Sequence, residues 1–346
     1  MSARINRAIE LLEQGQPIYY TGAGERSYEG GKKAAGTWAD YIMYEMEHEA
    51  FDLSRLHDYM RGLVDGGPTR SGHRTPAVIV TLPCEGSDPV SMRANAWMVK
   101  QVLAQGVHGI LLCHAESTEA VKIFVEAARY PFAPYSGTGL EQGRRGSGGQ
   151  GIAAQVWGMT PVEYLHKADV WPLNPKGEIL LGLKIENHRA LANVEASVSV
   201  SGIGFAEWGP GDMGMSFGLP DNHDEPFPKI MEEARSRILA ATKHAGIAFL
   251  NTVRVDDVEM RIDEGVKIGA GPEAAAEKGR HYTKRTMPWL RIDAVVWRTV
   301  VITVGRRYRM VPPPLRFREV EPAHTRIPKA PAVPKGVGPV SPEDVA

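Results

Sequence analysis

Eight short apolar runs, each followed by an amphipathic or loop segment, recur along the chain to about residue 290. They cover residues 17–21, 41–45, 77–82, 109–113, 179–186, 202–208, 246–250 and 266–270. Runs this short, bounded by turn-forming residues, read as strands. The segments between them, such as 88–106 and 226–246, carry apolar residues at helical spacing, and the second ends on Gly246, as helix C-termini tend to. Strands alternating with helices pair in parallel, and eight of them suggest closure into a (β/α)8 barrel. A doubly wound open sheet is the competing arrangement, and periodicity alone does not separate the two.

Composition narrows the function classes. The 346 residues are 43% hydrophobic and 23% charged, and the formal net charge is −1. Such a chain carries no global field that would recruit nucleic acid or a membrane surface. Only Cys84 and Cys113 are present, which argues against a disulfide framework and a cysteine-built zinc site; both read as small buried residues. No apolar run approaches the length of a membrane span. The first fifteen residues read as an amphipathic helix with Ile5, Ile9, Leu11 and Leu12 on one face, not as a signal peptide. A cytoplasmic location is the expectation.

Two stretches stand outside the alternation. Residues 134–160 are glycine-rich and long for a plain connector, so they read as a functional or flexible loop. Residues 291–346 form a proline- and arginine-rich arm after the barrel domain of residues 1–290. The arm begins with a strand-like run at 294–304 and carries ten Lys/Arg against five Asp/Glu. It reads as an arm packing on a neighbouring subunit or hanging loose, ahead of one that binds an acidic partner.

In α/β barrels the reactive side chains stand at the C-terminal ends of the strands. There the second strand delivers Glu45, Glu47 and His48, the fifth Glu186, and the sixth Asp212 in a glycine-rich turn. A single strand-end glutamate is more often a solvated group than a ligand, and a lone loop histidine is more often plain polarity. Their joint placement on three strand ends favours a divalent cation with oxygen ligands, such as Mg²⁺, Mn²⁺ or Co²⁺.

The segments "DYIMYEMEHEAFD", "GVHGILLCHAEST", "ARYPFAP", "LKIEN" and "GIGFAEWGPGDMGMSFGLP" occur in a familiar order. With them the chain, from about residue 5 to residue 285, resembles the metal-dependent 2-oxo-acid aldolases of the 4-hydroxy-2-oxoheptanedioate aldolase and citrate lyase β-subunit family. The resemblance implies a barrel of the phosphoenolpyruvate/pyruvate type whose last helix is swapped between partners, commonly in a homo-hexamer built from dimers. It also implies a divalent metal and reversible cleavage of a 4-hydroxy-2-oxo acid into pyruvate, or a similar enolate, and an aldehyde. By position, Glu186 and Asp212 would be the metal carboxylates and His48 the base. Glu45 would orient His48 where the family usually has aspartate. The backbone of Gly209, Pro210 and Gly211 would lie near the substrate carboxylate.

Two positions depart from the family. Thr81 stands where an arginine normally holds the 2-oxo acid, and a hydroxyl supplies neither the charge nor the fork of a guanidinium. Lys184 stands where the family tends to have glutamine. Because residues two apart on a strand face the same side, Lys184 and Glu186 should point together, and Lys184 would restore the charge lost at Thr81. Pairing with a nearby carboxylate is the plainer role for Lys184, and a Schiff-base amine is the third. Arg26, in the loop after the first strand, would reach the substrate mouth. Arg144 and Arg145 are either substrate contacts or solvated charges, and His114 either lines the pocket or packs. Two other functions stay open: a lyase with a changed substrate, such as an acyl thioester, and a non-catalytic oligomeric or ligand-binding protein.

Overall fold

All eight apolar runs form strands, with boundaries shifted by a few residues at most. The computed structural model describes residues 4–285. In chain order the strands are β1 (Ile18–Gly22), β2 (Tyr41–Tyr44), β3 (Ala77–Glu85), β4 (Gly109–Cys113), β5 (Val170–Trp171), β6 (Ile179–Ile185), β7 (Phe205–Trp208), β8 (Ala248–Thr252) and β9 (Val266–Ala270). The two-residue β5 is an addition at the edge of β6. Every pairing is parallel. The open-sheet alternative falls on two of them. β9 pairs with β1, and β4 pairs directly with β6, so eight strands close on themselves into a (β/α)8 barrel.

Period-two alternation then decides what fills the barrel. Ile18, Tyr41, Ile79, Leu111, Leu180, Phe205, Leu250 and Ile268 pack together inside it. Gly182 lies in the same inward row as Leu180, and a Cβ there would stand 2.2 Å from the Phe205 ring, so only glycine lets that ring cross the interior. The helix Arg7–Glu13 closes the lower end with Ala8, Ile9 and Leu11. Asn6 ties it down: its side-chain oxygen accepts from the N–H of Ala8, and its amide donates to the carbonyls of His108 and Glu178. With its lower half packed dry, the barrel has one open end, the C-terminal mouth of the strands.

The glycine-rich stretch contains more structure than its composition suggested. Residues Gln150–Trp157 form a helix, and Trp157 donates its indole N–H to the Gly106 carbonyl at 2.8 Å. Arg145 is buried, with its guanidinium over the Tyr130 ring at 4.3 Å and donating to the Tyr164 hydroxyl. It therefore packs and is not a substrate contact. Arg144 pairs with Glu126 and Glu141. Among the described residues no helix is long and apolar enough to cross a membrane. The strand-like run at 294–304 and the rest of the arm lie outside the described residues.

Asp40, entering β2 from below, holds the barrel floor to the end of the last described helix. It accepts the N–H of Tyr19 at 2.9 Å and a forked pair of bonds from Arg285, with Arg280 3.4 Å away. Burial pushes the Asp40 carboxyl up, but the bonds and charge of Arg285 outweigh it and hold the group below the usual carboxylate range. A depressed carboxylate contributes stability above its unfolded-state pKa and loses it as pH falls through the folded one. Asp40→Asn strands two buried guanidinium groups, so urea unfolding at neutral pH is expected to show a loss of about 3–5 kcal/mol. The same variant should lose less further stability than the parent between pH 6 and pH 3.

Candidate active site

The strand alternation that packs the lower barrel with apolar side chains delivers charged ones at the mouth. Following Leu111, Gly182 and Phe205 up their strands, the next inward positions are Cys113, Lys184 and Glu207. Register pairs Lys184 on β6 with Glu207 on β7. Lys184 and Glu186 point together as expected: the ammonium lies 3.6 Å from a Glu186 oxygen and donates to Glu47. Glu47 and Glu186 thus contact one ammonium, with Glu207 at the paired position of the next strand and Glu45 within reach of its charge.

That imbalance appears in the protonation of the group. Burial pushes Glu186 up to about 6, with the charge of Lys184 opposing the rise and Glu47 adding to it. Glu207 is pushed up further, to about 7, by burial, again opposed by Lys184 and assisted by Glu186, Glu47 and Glu45. Burial acts to lower the Lys184 ammonium, but Glu207 and Glu186 outweigh it and hold the proton firmly. A Schiff-base nucleophile needs a lowered amine pKa, so the charge balance opposes that role for Lys184.

The loop after β2 is organised by Glu45, though not in the manner expected. One Glu45 oxygen accepts the backbone N–H groups of Glu47 at 2.6 Å and His48 at 3.1 Å. Burial works against ionisation of Glu45, but the Thr81 hydroxyl and these two N–H groups hold its pKa low. Glu45 therefore shapes the loop backbone and does not orient the His48 ring. The carboxylate near that ring is Glu47, 3.5 Å from Nε2, and the imidazole is 64% exposed. Thr81 is occupied as well, accepting the N–H of Met46 at 3.0 Å. Its hydroxyl holds the second loop in place and does not stand free in the mouth.

Glu186 is positioned from two neighbouring strand ends. The N–H of His114, a residue at a φ of +44°, donates to Glu186 Oε1 at 2.9 Å, and the His114 ring lies 3.5 Å from the same oxygen. Asn187 reaches back to the His114 ring at 3.2 Å and to Glu116 at 2.9 Å. On β7's side Gly209 leaves room: a Cβ there would stand 2.7 Å from Glu186 Cβ. Pro210 and Gly211 open the short helix Pro210–Ser216, whose first turn holds Asp212. Arg26 sits on the rim, paired with Glu49 at 3.0 Å and stacked over Tyr44.

Several members of the cluster were missed or left without a role by sequence reasoning. Glu207 sits in an apolar strand, "GFAEW", at an inward position, and a carboxylate there is the signal that could have found it. Glu47 was visible in its loop but carried no assignment. Cys113 read as packing, yet it closes a group with Glu47 and Glu186 in which one donor atom from each lies within 4.8 Å of the others.

Comparison with known proteins gives the fold and the cluster a context. The model of the HpcH/HpaI aldolase/citrate lyase family matches residues 31–270. The 2-keto-3-deoxy-L-rhamnonate aldolase of Escherichia coli (strain K12) is 28% identical over 214 residues, spanning 62% of this chain and 67% of that protein. Among solved structures, an HpcH/HpaI aldolase/citrate lyase family protein from Burkholderia cenocepacia J2315 superposes with a TM-score of 0.60 at 20% identity, covering 85% of this chain and 98% of that one. The HpcH/HpaI aldolase of Desulfitobacterium hafniense DCB-2 follows at 0.58 and 18%, covering 86% and 97%. These structural likenesses carry the fold, and the family match covers more than half of the sequence: the chain belongs to the HpcH/HpaI aldolase/citrate lyase family.

Proposed function

We propose that this carbon–carbon lyase of the aldolase type acts on a 4-hydroxy-2-oxo acid, making or breaking the bond between a pyruvate-type nucleophile and an aldehyde. The observation that carries the reading is the charge at the barrel mouth, where four carboxylates share the charge of one ammonium. An anionic oxo acid would be repelled from such a mouth unless a further cation balanced it. The oxygen-rich donors and the buried Glu47 Oε1, which has no hydrogen-bond partner, fit a divalent metal. Glu186 and Asp212 would hold it, as Mg²⁺, Mn²⁺ or Co²⁺. When bound it would supply Lewis-acid polarisation of the substrate oxygens.

The chain's own residues would do the rest. His48, on the open rim beside Glu47, would take the proton of the 4-hydroxyl as the bond between C3 and C4 breaks, releasing the aldehyde and leaving the electron pair on the pyruvate fragment. Returning a proton to C3 completes cleavage. Lys184 would supply the positive charge that Thr81 lacks, and the Gly209–Gly211 backbone would approach the substrate carboxylate. Arg26 would face the outer end of the substrate. The relative acting on 2-keto-3-deoxy-L-rhamnonate, a 2-oxo acid by name, supports the substrate class. It also weighs against the thioester-lyase and non-catalytic alternatives. A dimer-based homo-hexamer in the cytoplasm belongs to the same proposal.

Deuterium exchange into the pyruvate methyl group, followed by proton NMR, tests the nucleophile half without knowledge of the aldehyde. Exchange is expected with added Mg²⁺, Mn²⁺ or Co²⁺, and abolished by EDTA or by Glu186→Gln. Absence of exchange with every metal would sink the pyruvate reading. For Lys184, Lys184→Gln should lower kcat/KM by about 10²–10³-fold, the loss typical of removing a preorganised electrostatic contact. Lys184→Arg should recover part of it. Unchanged steady-state kinetics in both variants would remove the charge-replacement role.

A further inference from the structure

Cys113 is the unexpected member of the mouth cluster. It ends β4, faces inward above Leu111, and its sulfur lies within 4.8 Å of a carboxylate oxygen of Glu47 and of Glu186. Glu47 supplies the independent sign of a ligand: its side chain is only 6% exposed, and Oε1 is buried without a hydrogen-bond partner. That oxygen stands 3.7 Å from His114 Nε2, and Nδ1 of the same ring stands 3.5 Å from Glu186 Oε1. Building on the metal reading of the proposed function, we propose that Cys113 and Glu47 join Glu186 and Asp212 as ligands, so that the metal centre contains a thiolate.

The dimensions suit this donor set. An ion with bonds of about 2.1 Å to oxygen and about 2.3 Å to sulfur holds tetrahedral donors about 3.6 Å apart. The Glu47, Cys113 and Glu186 donors, spread over at most 4.8 Å, reach that spacing by contracting roughly an ångström, within side-chain rotation. On binding, the thiol loses its proton to solvent and the sulfur lone pair forms the bond, with no redox change. The Lys184 ammonium, which now contacts Glu47, has an alternative acceptor. Its register partner Glu207 carries a buried Oε2 with no hydrogen-bond partner. Lysine is thus a tethered cation that can pass from Glu47 to Glu207 when a metal takes the carboxylate. Thiolate ligation shifts preference away from Mg²⁺ and towards softer ions such as Zn²⁺ and Co²⁺.

The test loads the full-length protein with Co²⁺ alone and records its absorption spectrum. A near-ultraviolet sulfur-to-cobalt charge-transfer band, with one thiol proton released per ion bound, is the expected result in the wild type and needs no variant. Cys84→Ser should keep the band. Cys113→Ser should lose it while still binding Co²⁺ through carboxylates, and its preference for Zn²⁺ over Mg²⁺ should fall by about tenfold or more. Bound Co²⁺ without the band, or a Cys113→Ser protein with the wild-type spectrum and ion preference, would overturn the thiolate and leave the carboxylate metal centre standing. Failure of any ion to bind would instead overturn the metal reading and this inference together.

Discussion

The ammonium of Lys184 sits among four carboxylates at the top of a closed parallel barrel, and the geometry of the mouth follows from that concentration of like charge. Without it, Glu45, Glu47, Glu186 and Glu207 would face each other across a partly desolvated space, where repulsion is weakly screened. One lysine offsets part of this, and burial, assisted by the neighbouring carboxylates, raises Glu186 and Glu207 towards neutrality. A site left with surplus negative charge and an orphaned carboxylate oxygen is prepared for a cation. In the proposed function an anionic oxo acid would enter together with that cation.

The charge can be held there because the rest of the barrel is dry. Gly182 admits Phe205 across the centre, the N-terminal helix seals the floor, and Asp40 locks β2 and the start of β1 to Arg285. The cost of ordering polar groups is thereby confined to one layer. The same period-two register that turns Leu180 inward turns Lys184 and Glu186 inward, so packing and chemistry are set by a single constraint.

Within the family the chain occupies an altered position. Thr81, standing where a guanidinium is expected, is committed to the loop after β2 through Met46 and Glu45. The positive charge enters from β6, opposite Glu207 on β7. In the proposed function this relocated charge would approach the substrate from a new direction, which suits a change in acceptor more than a loss of the reaction.

Much of this was legible beforehand. The eight strands were visible because a buried parallel strand must be apolar on both faces. Lys184 and Glu186 could be placed on one side because a strand's period is two, and the resemblance pointed to the mouth residues. Other features were not legible. The helix Gln150–Trp157 was hidden behind glycines, and Arg145 read as a substrate contact or a solvated charge because its cage of Tyr130 and Tyr164 is assembled from separate segments. Glu45 and His48 are three apart in sequence, yet whether a carboxylate meets a ring or a backbone N–H depends on how the loop turns. Local pattern alone therefore determined the strands and their inward faces. Barrel closure, the encirclement of Lys184, and the meeting of Cys113 with Glu47 and Glu186 were decided by tertiary structure, because they join residues far apart in the chain whose distances no local pattern encodes.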